Sequence, residues 1–223
     1  MLVYVLLIGG IMEKNENLEV CKKCGGMCCK KSGCDLWLDD IEDKSQKGIL
    51  ELLATGMYSI VSFMNFKVIN GKVCNMPFLY LRARNKNRDV VDLLSMKTTC
   101  VNLTSDGCSF SYADRPSGGK NLTPKDGGMC KPKEDPLEKL KLYAPYQNVL
   151  SRIVKRYTGK SVDKVVRDDV VLLIKDVTSG NIEGVSPVEL ADIKGMLPIL
   201  AQCYPDEVSL GYKLGKNSSI GFK

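Results

Sequence analysis

YSIVSFMNFKVINGKVCNMPFLYLRAR, residues 58–84, decides the fold class. Tyr58–Phe63 and Phe66–Ile69 are apolar runs rich in aromatic and β-branched residues, and Phe78–Arg84 is a third. Asn70-Gly71 stands between them. Both residues of that dipeptide tolerate the left-handed backbone that a two-residue hairpin turn requires, so the stretch predicts a β-hairpin.

Working outward, KGILELLATG brings Ile49, Leu50, Leu52 and Leu53 to helical spacing and predicts a short helix within Ser45–Gly56, ended by the glycine. Asp89–Met96 is another apolar run, helix or strand. Residues 97–135 are rich in Gly, Ser, Thr, Asn and Pro. A loop of that length is unusual in a compact domain unless something else orders it, and a bound metal would.

Beyond Pro136 the pattern turns helical. Leu140, Tyr143, Tyr146, Leu150, Ile153, Val154 and Tyr157 recur every three to four residues and predict a helix over 137–157. A second is expected over 162–177, capped by Ser161, and a third from Ser186-Pro187-Val188-Glu189, a capping box with proline at the first helical position. Pro198 is expected to kink or end that third helix. GYKLGKN (211–217) lacks the spacing of a phosphate-binding loop and reads as a plain loop. The expected fold is α+β. An N-terminal segment (1–20) precedes an irregular, metal-ordered cysteine-rich region with a small hairpin (21–135), and a helical C-terminal region (136–223) follows.

Composition narrows the chemistry. The 223-residue chain is 44% hydrophobic, enough to bury a core. Its net charge of +6 is spread without a long basic stretch, so no nucleic-acid partner is expected. There are ten cysteines and no histidine. The second count removes Ser–His and Cys–His nucleophile pairs, HExxH zinc sites and His-bearing facial triads. A transition metal here would rest mainly on thiolate, which favours zinc, an iron–sulfur cluster or Cu(I).

The compartment decides how clustered cysteines are read. The apolar run Leu2–Ile11 is far shorter than the roughly 20 residues of a membrane span and has no basic segment before it. It is a buried strand, an extension upstream of a start at Met12, or a signal or anchor. The expectation is a cytoplasmic chain without a membrane span, its thiols reduced, and with no meaning in the sequons at Asn102, Asn121 and Asn217.

Four cysteines crowd CKKCGGMCC, residues 21–29. Cys21 and Cys24 have the spacing that lets two thiolates of one turn reach one ion. Gly25 and Gly26 allow the chain to fold back and present Cys28 and Cys29; which of that pair is a ligand stays open. Cys34 adds a fifth thiol, and Cys100, Cys108 and Cys130 bring the total to eight, enough for two four-thiolate sites or one cluster with partners. Asp106-Gly107 would turn Cys108 back towards Cys100. Lys22, Lys23, Lys30 and Lys31 would lower thiol pKa values and offset the site's negative charge, or else form a solvated face. A radical S-adenosylmethionine motif fails at Lys31, and CKKC lacks the βαβ context of a thioredoxin-like pair. Cys74 and Cys203 read as core or surface thiols.

CKKCGGMCCKKSGCDLWLDD resembles the opening of the bacterial and archaeal CxxCxxCC, or YkgJ-like, zinc- or iron-chelating family, with Leu38 and Asp40 as its following leucine and acid. The second half of that pattern appears as Cys100-Val-Asn-Leu103, Gly107-Cys108 and Arg115-Pro116. The spacing departs from the family's by one residue before the double cysteine. The region after Arg115-Pro116 has Ser-Gly-Gly-Lys where the family often has a cysteine, and Cys130 stands in for it. The resemblance implies chelation of zinc or iron, an iron–sulfur cluster included, by Cys21, Cys24, Cys28, Cys29, Cys34, Cys100, Cys108 and Cys130. Arg115 is the candidate for binding a cofactor carboxylate or phosphate, or for a salt bridge that fixes its loop. The cluster also resembles a module of flagellin lysine N-methylases. A protein-modifying, methyltransferase-like enzyme with an iron–sulfur centre and a protein substrate is therefore the alternative to a metal-binding protein.

Overall fold

The computed structural model describes residues 26, 29, 34–86, 88–95, 99–105, 107–123, 130–181, 185 and 187–219. The expectations for residues 1–20, for Cys21, Cys24 and Cys28, for the four flanking lysines and for Ser186 lie outside them. The described chain mixes helices with small antiparallel sheets, an α+β architecture.

A 3₁₀ turn at Leu38–Asp40 precedes α1 (Gln46–Ala54). Ser45 caps α1, its hydroxyl accepting from Gly48 N at 3.2 Å, and Gly56 follows its end at φ 72°. The long hairpin comes next, in two stages. β1 (Tyr58–Phe63) pairs with β4 (Phe78–Ala83), and β2 (Phe66–Ile69) pairs with β3 (Lys72–Asn75). Asn70 (φ 49°) and Gly71 (φ 74°) make the expected turn with both residues left-handed.

Neither edge of the β1–β4 pair is left bare. Within the apolar run that starts at Asp89, residues 90–93 supply an extended lane parallel to β1: Ile60 N donates to Val90 O at 2.7 Å, and Asp92 N to Ile60 O at 3.0 Å. On the other side residues 34–36 run antiparallel to β4, with Leu36 N donating to Leu81 O at 3.0 Å and Ala83 N to Cys34 O at 2.8 Å. That lane stops short of Leu79, where Gln147 takes over. Its side-chain oxygen accepts from Leu79 N and its amide donates to Leu79 O, both at 2.8 Å.

The cysteine-bearing loops carry two-residue ladders, β5 (Leu103–Thr104) with β6 (Gly107–Cys108) and β7 (Leu122–Thr123) with β8 (Lys131–Pro132), and a single helical turn, α2 (Ser117–Lys120). The helix expected over 137–157 is divided into α3 (Pro136–Lys141), a 3₁₀ turn at Ala144–Tyr146 and α4 (Gln147–Thr158). Pro145 lies in the gap, where its missing N–H and its ring disfavour a continuous α-helix. α5 (Val162–Ser179) starts as expected, with Ser161 Oγ accepting from Lys164 N at 3.3 Å.

α6 (Pro187–Cys203) opens on Pro187 as expected and runs through Pro198. Of the two outcomes expected at Pro198, a kink or an end, the end is corrected: Ile193 and Leu200, 2% and 0% exposed, pin the helix to the core on both sides of the proline. The loop reading of GYKLGKN is also corrected, because it lies in α7 (Pro205–Ser219). Its two glycines face α5. A Cβ on Gly211 would stand 2.6 Å from Ile174 Cβ, and one on Gly215 2.6 Å from Thr178 Cβ. Those glycines serve close helix packing. Arg167 of α5 joins the start of α7 through an ion pair with Glu207 at 2.8 Å. One apolar core runs from Leu36 through the sheet to Val208.

Candidate metal centre

The candidate site hangs on the end of the β1–β4 sheet. Past Ala83 the chain continues at 84–86 beside 99–101: Lys86 N donates to Thr99 O at 2.8 Å and Val101 N to Arg84 O at 2.7 Å. This pairing holds Cys100 opposite Asn85. Cys100 N then donates to Cys29 O at 2.9 Å, and the Cys34 carbonyl is held by Ala83 N. Three cysteines from distant parts of the sequence are thereby drawn to one place. Cys29, Cys34 and Cys100 are 9%, 7% and 2% exposed and share an apolar pocket with Ala83, against which Leu103 packs.

Two glycines make room for this. Gly26 has φ 72°, and a Cβ on it would stand 2.5 Å from Leu103 Cδ1. Gly26 takes the left-handed backbone expected of the glycine pair, and the fold-back towards Cys28 lies outside the described residues. Gly119 of α2 abuts Cys34, where a Cβ would lie 2.6 Å from Sγ.

The sulfur of Cys100 accepts two hydrogen bonds from Asn102, from its backbone N at 3.4 Å and its side-chain amide at 3.7 Å. Burial pushes the Cys100 thiol up, and the nearby charge of Cys108 pushes the same way. The Asn102 bonds and Lys86 pull it down. A buried thiolate needs a cation to offset its desolvation, and donors aimed at sulfur are the outer-shell partners that metal-bound thiolates use. The chemistry of these groups therefore fits a thiolate-bound metal.

Cys108 is in β6, opposite Leu103. Cys130 immediately precedes β8, beyond which Asn121 is bonded to the chain: Asn121 Oδ1 accepts from Lys133 N and Glu134 N at 3.1 and 2.9 Å, and its amide donates to Glu134 O at 2.9 Å. Cys130 is outside the buried thiol pocket. Among the described residues no three Cys, Asp or Glu side chains already stand as a ligand set. Three of the eight candidate thiols, Cys21, Cys24 and Cys28, lie outside those residues.

The acid of the first motif half meets the residue that follows the Arg-Pro of the second. Asp40 takes Ser117, the residue after Arg115-Pro116, by both its N–H at 2.9 Å and its hydroxyl at 2.6 Å. Asp40 also accepts from Trp37 N at 2.8 Å. Arg115 stacks its guanidinium over Tyr112 at 5.9 Å, with its stem against Gly119.

Asn102, Gly119 and Ala83 were not candidates from sequence. Asn102 carries a readable signal, an amide two residues after a cysteine, where the backbone turn aims both its N–H groups at sulfur. Gly119 and Ala83 carry none, since their part is to be small beside a thiol.

Below the site lies a buried polar network. Arg82 pairs with Asp35 at 2.7 Å and donates to Ser95 Oγ at 3.1 Å and Tyr80 Oη at 2.8 Å. Asn85 links Ser95 to Asp92, donating at 3.2 Å to each, and Asp92 pairs with Arg88 at 2.8 Å. This network fixes Asp35 and Asn85, the neighbours of Cys34 and Cys100. Among the described residues no helix is long and apolar enough to cross a membrane. No family model, no curated protein and no solved structure matches the chain.

Proposed function

We propose that this chain is a metal-binding protein that chelates zinc or iron, an iron–sulfur cluster included, through clustered cysteines. The observation that carries the reading is the burial of Cys29, Cys34 and Cys100 in one pocket with amide donors on the Cys100 sulfur. Cysteines that are only small hydrophobes do not need such donors.

Cys29, Cys34 and Cys100 form the inner ligands in this reading. Cys108 and the thiols of Cys21, Cys24, Cys28 and Cys130 complete one or two sites. Cys29 of the double cysteine lies in the pocket, and Cys28 is outside the described residues. The metal would supply the positive charge that lets buried thiols ionise, and would tie residues 21–34 to residues 100–130. The Asp40 bonds to Ser117 hold the segment after Cys34 against the one that follows Arg115-Pro116.

Elemental analysis with an absorption spectrum of anaerobically purified protein tests the proposal. Zinc without visible absorption means a thiolate zinc site. Brown protein with iron and acid-labile sulfide means a cluster. Folded protein without either metal refutes the reading.

A further inference from the structure

The segment that carries Cys34 is held on two sides. On one it pairs with β4, where Ala83 N donates to Cys34 O at 2.8 Å. On the other it meets the backbone of α2. Gly118 N donates to Asp35 O at 3.1 Å. A Cβ on Gly118 would stand 2.5 Å from that same oxygen, and one on Gly119 2.6 Å from Cys34 Sγ. No residue with a side chain could approach so closely without displacing something. Gly119 is buried, and Cys34 beneath it is 7% exposed. The turn α2 is therefore a cover over the Cys34 sulfur.

That cover is poorly built to hold itself. It is a single turn of four residues, two of them glycine, and Pro116 before it gives no side-chain cap. A helix this short has not recovered the cost of its own nucleation, and glycine loses more freedom on ordering than any other residue. Its start is fixed from outside by Asp40. Asp40 Oδ2 accepts from Ser117 N at 2.9 Å, and Oδ1 accepts from Ser117 Oγ at 2.6 Å. Ser117 N is one of the N–H groups that a first helical turn leaves without an internal partner. Asp40 is itself set in place, because Oδ2 also accepts from Trp37 N at 2.8 Å and the next residue, Ile41, is 3% exposed in the core.

We propose that Asp40 is a positioning residue for the thiol pocket: by clasping Ser117 it keeps α2 closed on Cys34, and so sets how fast that sulfur meets solvent and how fast a metal bound there is surrendered. The effect on metal release rests on the metal-binding reading; the cover over the thiol does not. Asp40 acts here through α2, its carboxylate being taken up by Ser117 and Trp37. Asp40→Ala removes every one of these bonds. Asp40→Asn keeps them in kind: its amide oxygen can accept from both N–H groups, and its NH₂ can donate to the Ser117 hydroxyl. The alanine variant should open the cover and the asparagine variant should keep it shut. Ser117→Ala, which loses only the hydroxyl bond, should have a smaller effect in the same direction as Asp40→Ala.

The test is made on the full chain, with each variant checked for fold by circular dichroism. Release of bound zinc or iron to a chromogenic chelator is followed first. The chelator-treated, reduced protein is then alkylated with N-ethylmaleimide, and labelling of Cys34 and Cys74 is timed by peptide mass spectrometry. Cys74, in β3 and outside the thiol pocket, reports general loosening. Asp40→Ala is expected to label Cys34 several-fold faster than wild type at an unchanged Cys74 rate, and to release metal several-fold faster. Asp40→Asn should restore both wild-type rates. If the wild type carries no metal, the metal-binding reading fails and the labelling alone still decides on the cover. An unchanged Cys34 rate in Asp40→Ala, an equal rise at Cys74, or an equal rise in Asp40→Asn would overturn the proposal. Should Asp40→Ala not fold, Ser117→Ala decides in its place: faster Cys34 labelling supports the cover, and the wild-type rate overturns it.

Discussion

The backbone N–H of Cys100 donates to the carbonyl of Cys29 at 2.9 Å across 70 intervening residues. That one bond joins the two cysteine-bearing segments before any metal is considered. It explains how Cys29 and Cys100 come to be buried together, and it makes the segment around Cys100 a rigid half of the proposed site. Asn102, two residues on, is the side chain whose removal best separates packing from metal binding. Asn102→Ala should leave the helical spectrum unchanged and weaken zinc or iron binding by about tenfold or more, the usual cost of losing an outer-shell donor. A competition titration with a chromogenic chelator reads this. Unchanged affinity would mean that the amide serves only the loop.

Gly211 and Gly195 should respond to alanine with opposite signs. A Cβ on Gly211 would stand 2.6 Å from Ile174 Cβ and 2.8 Å from Val171 O, so Gly211→Ala forces α7 away from α5 and should cost ~1–3 kcal/mol. A Cβ on Gly195, within α6, meets nothing within 4 Å, so Gly195→Ala should gain up to ~1 kcal/mol from helix propensity. Urea unfolding of both variants measures the pair.

Gln147 does the work of a missing strand at Leu79, with 2.8 Å bonds to both its N–H and its C=O. Gln147→Ala leaves both backbone groups without partners and should destabilise the fold by ~1–3 kcal/mol per buried group left unpaired. Gln147→Glu keeps an acceptor for Leu79 N but, when ionised, has no donor for the Leu79 or Tyr143 carbonyls. It should therefore be weaker at pH 7 than at pH 4, where the protonated acid can donate once. Thermal melts at the two pH values check the sign.

Asp169 on α5 gives a pH signature of its own. Burial raises its carboxyl from the ordinary 3.8 to about 6, and the Asp92 charge adds to this; Arg88 and the N–H groups of Leu94 and Leu93 act against it. Because the folded value lies above the unfolded one, the stabilising contribution is present in full below about pH 4 and is lost as pH rises through 6. The shift corresponds to roughly 3 kcal/mol. The stability of wild type relative to Asp169→Asn should fall by an amount of that order between pH 4 and 7, measured by denaturant titration. A flat difference would contradict the assignment.

What could be read from the sequence was local. Asn70-Gly71 announced its turn because few other residues accept two consecutive left-handed conformations. Ser161 announced the start of α5 because its hydroxyl meets a helix N–H that nothing else satisfies. The lane at 90–93 was ambiguous because a parallel strand arrives by a crossover, with no turn dipeptide to mark it. α7 was missed because Gly211 and Gly215 look like loop residues until α5 lies against them. The cysteines declared themselves as a class by spacing and by the absence of histidine. Their convergence depends on the sheet pairing of Asn85 with Cys100 and of Ala83 with Cys34, which is tertiary information. The loss of Pro198 as a helix end has the same origin, since burial of Ile193 and Leu200 outweighs one missing hydrogen bond.

The most direct test of the account is the metal content per chain of anaerobically purified wild type beside Cys29→Ser and Cys100→Ser, each confirmed as folded by circular dichroism. The account predicts stoichiometric zinc or iron in the wild type and a clear drop in both variants. Wild-type protein that is folded but carries neither metal, or variants that keep the wild-type ratio, would contradict it.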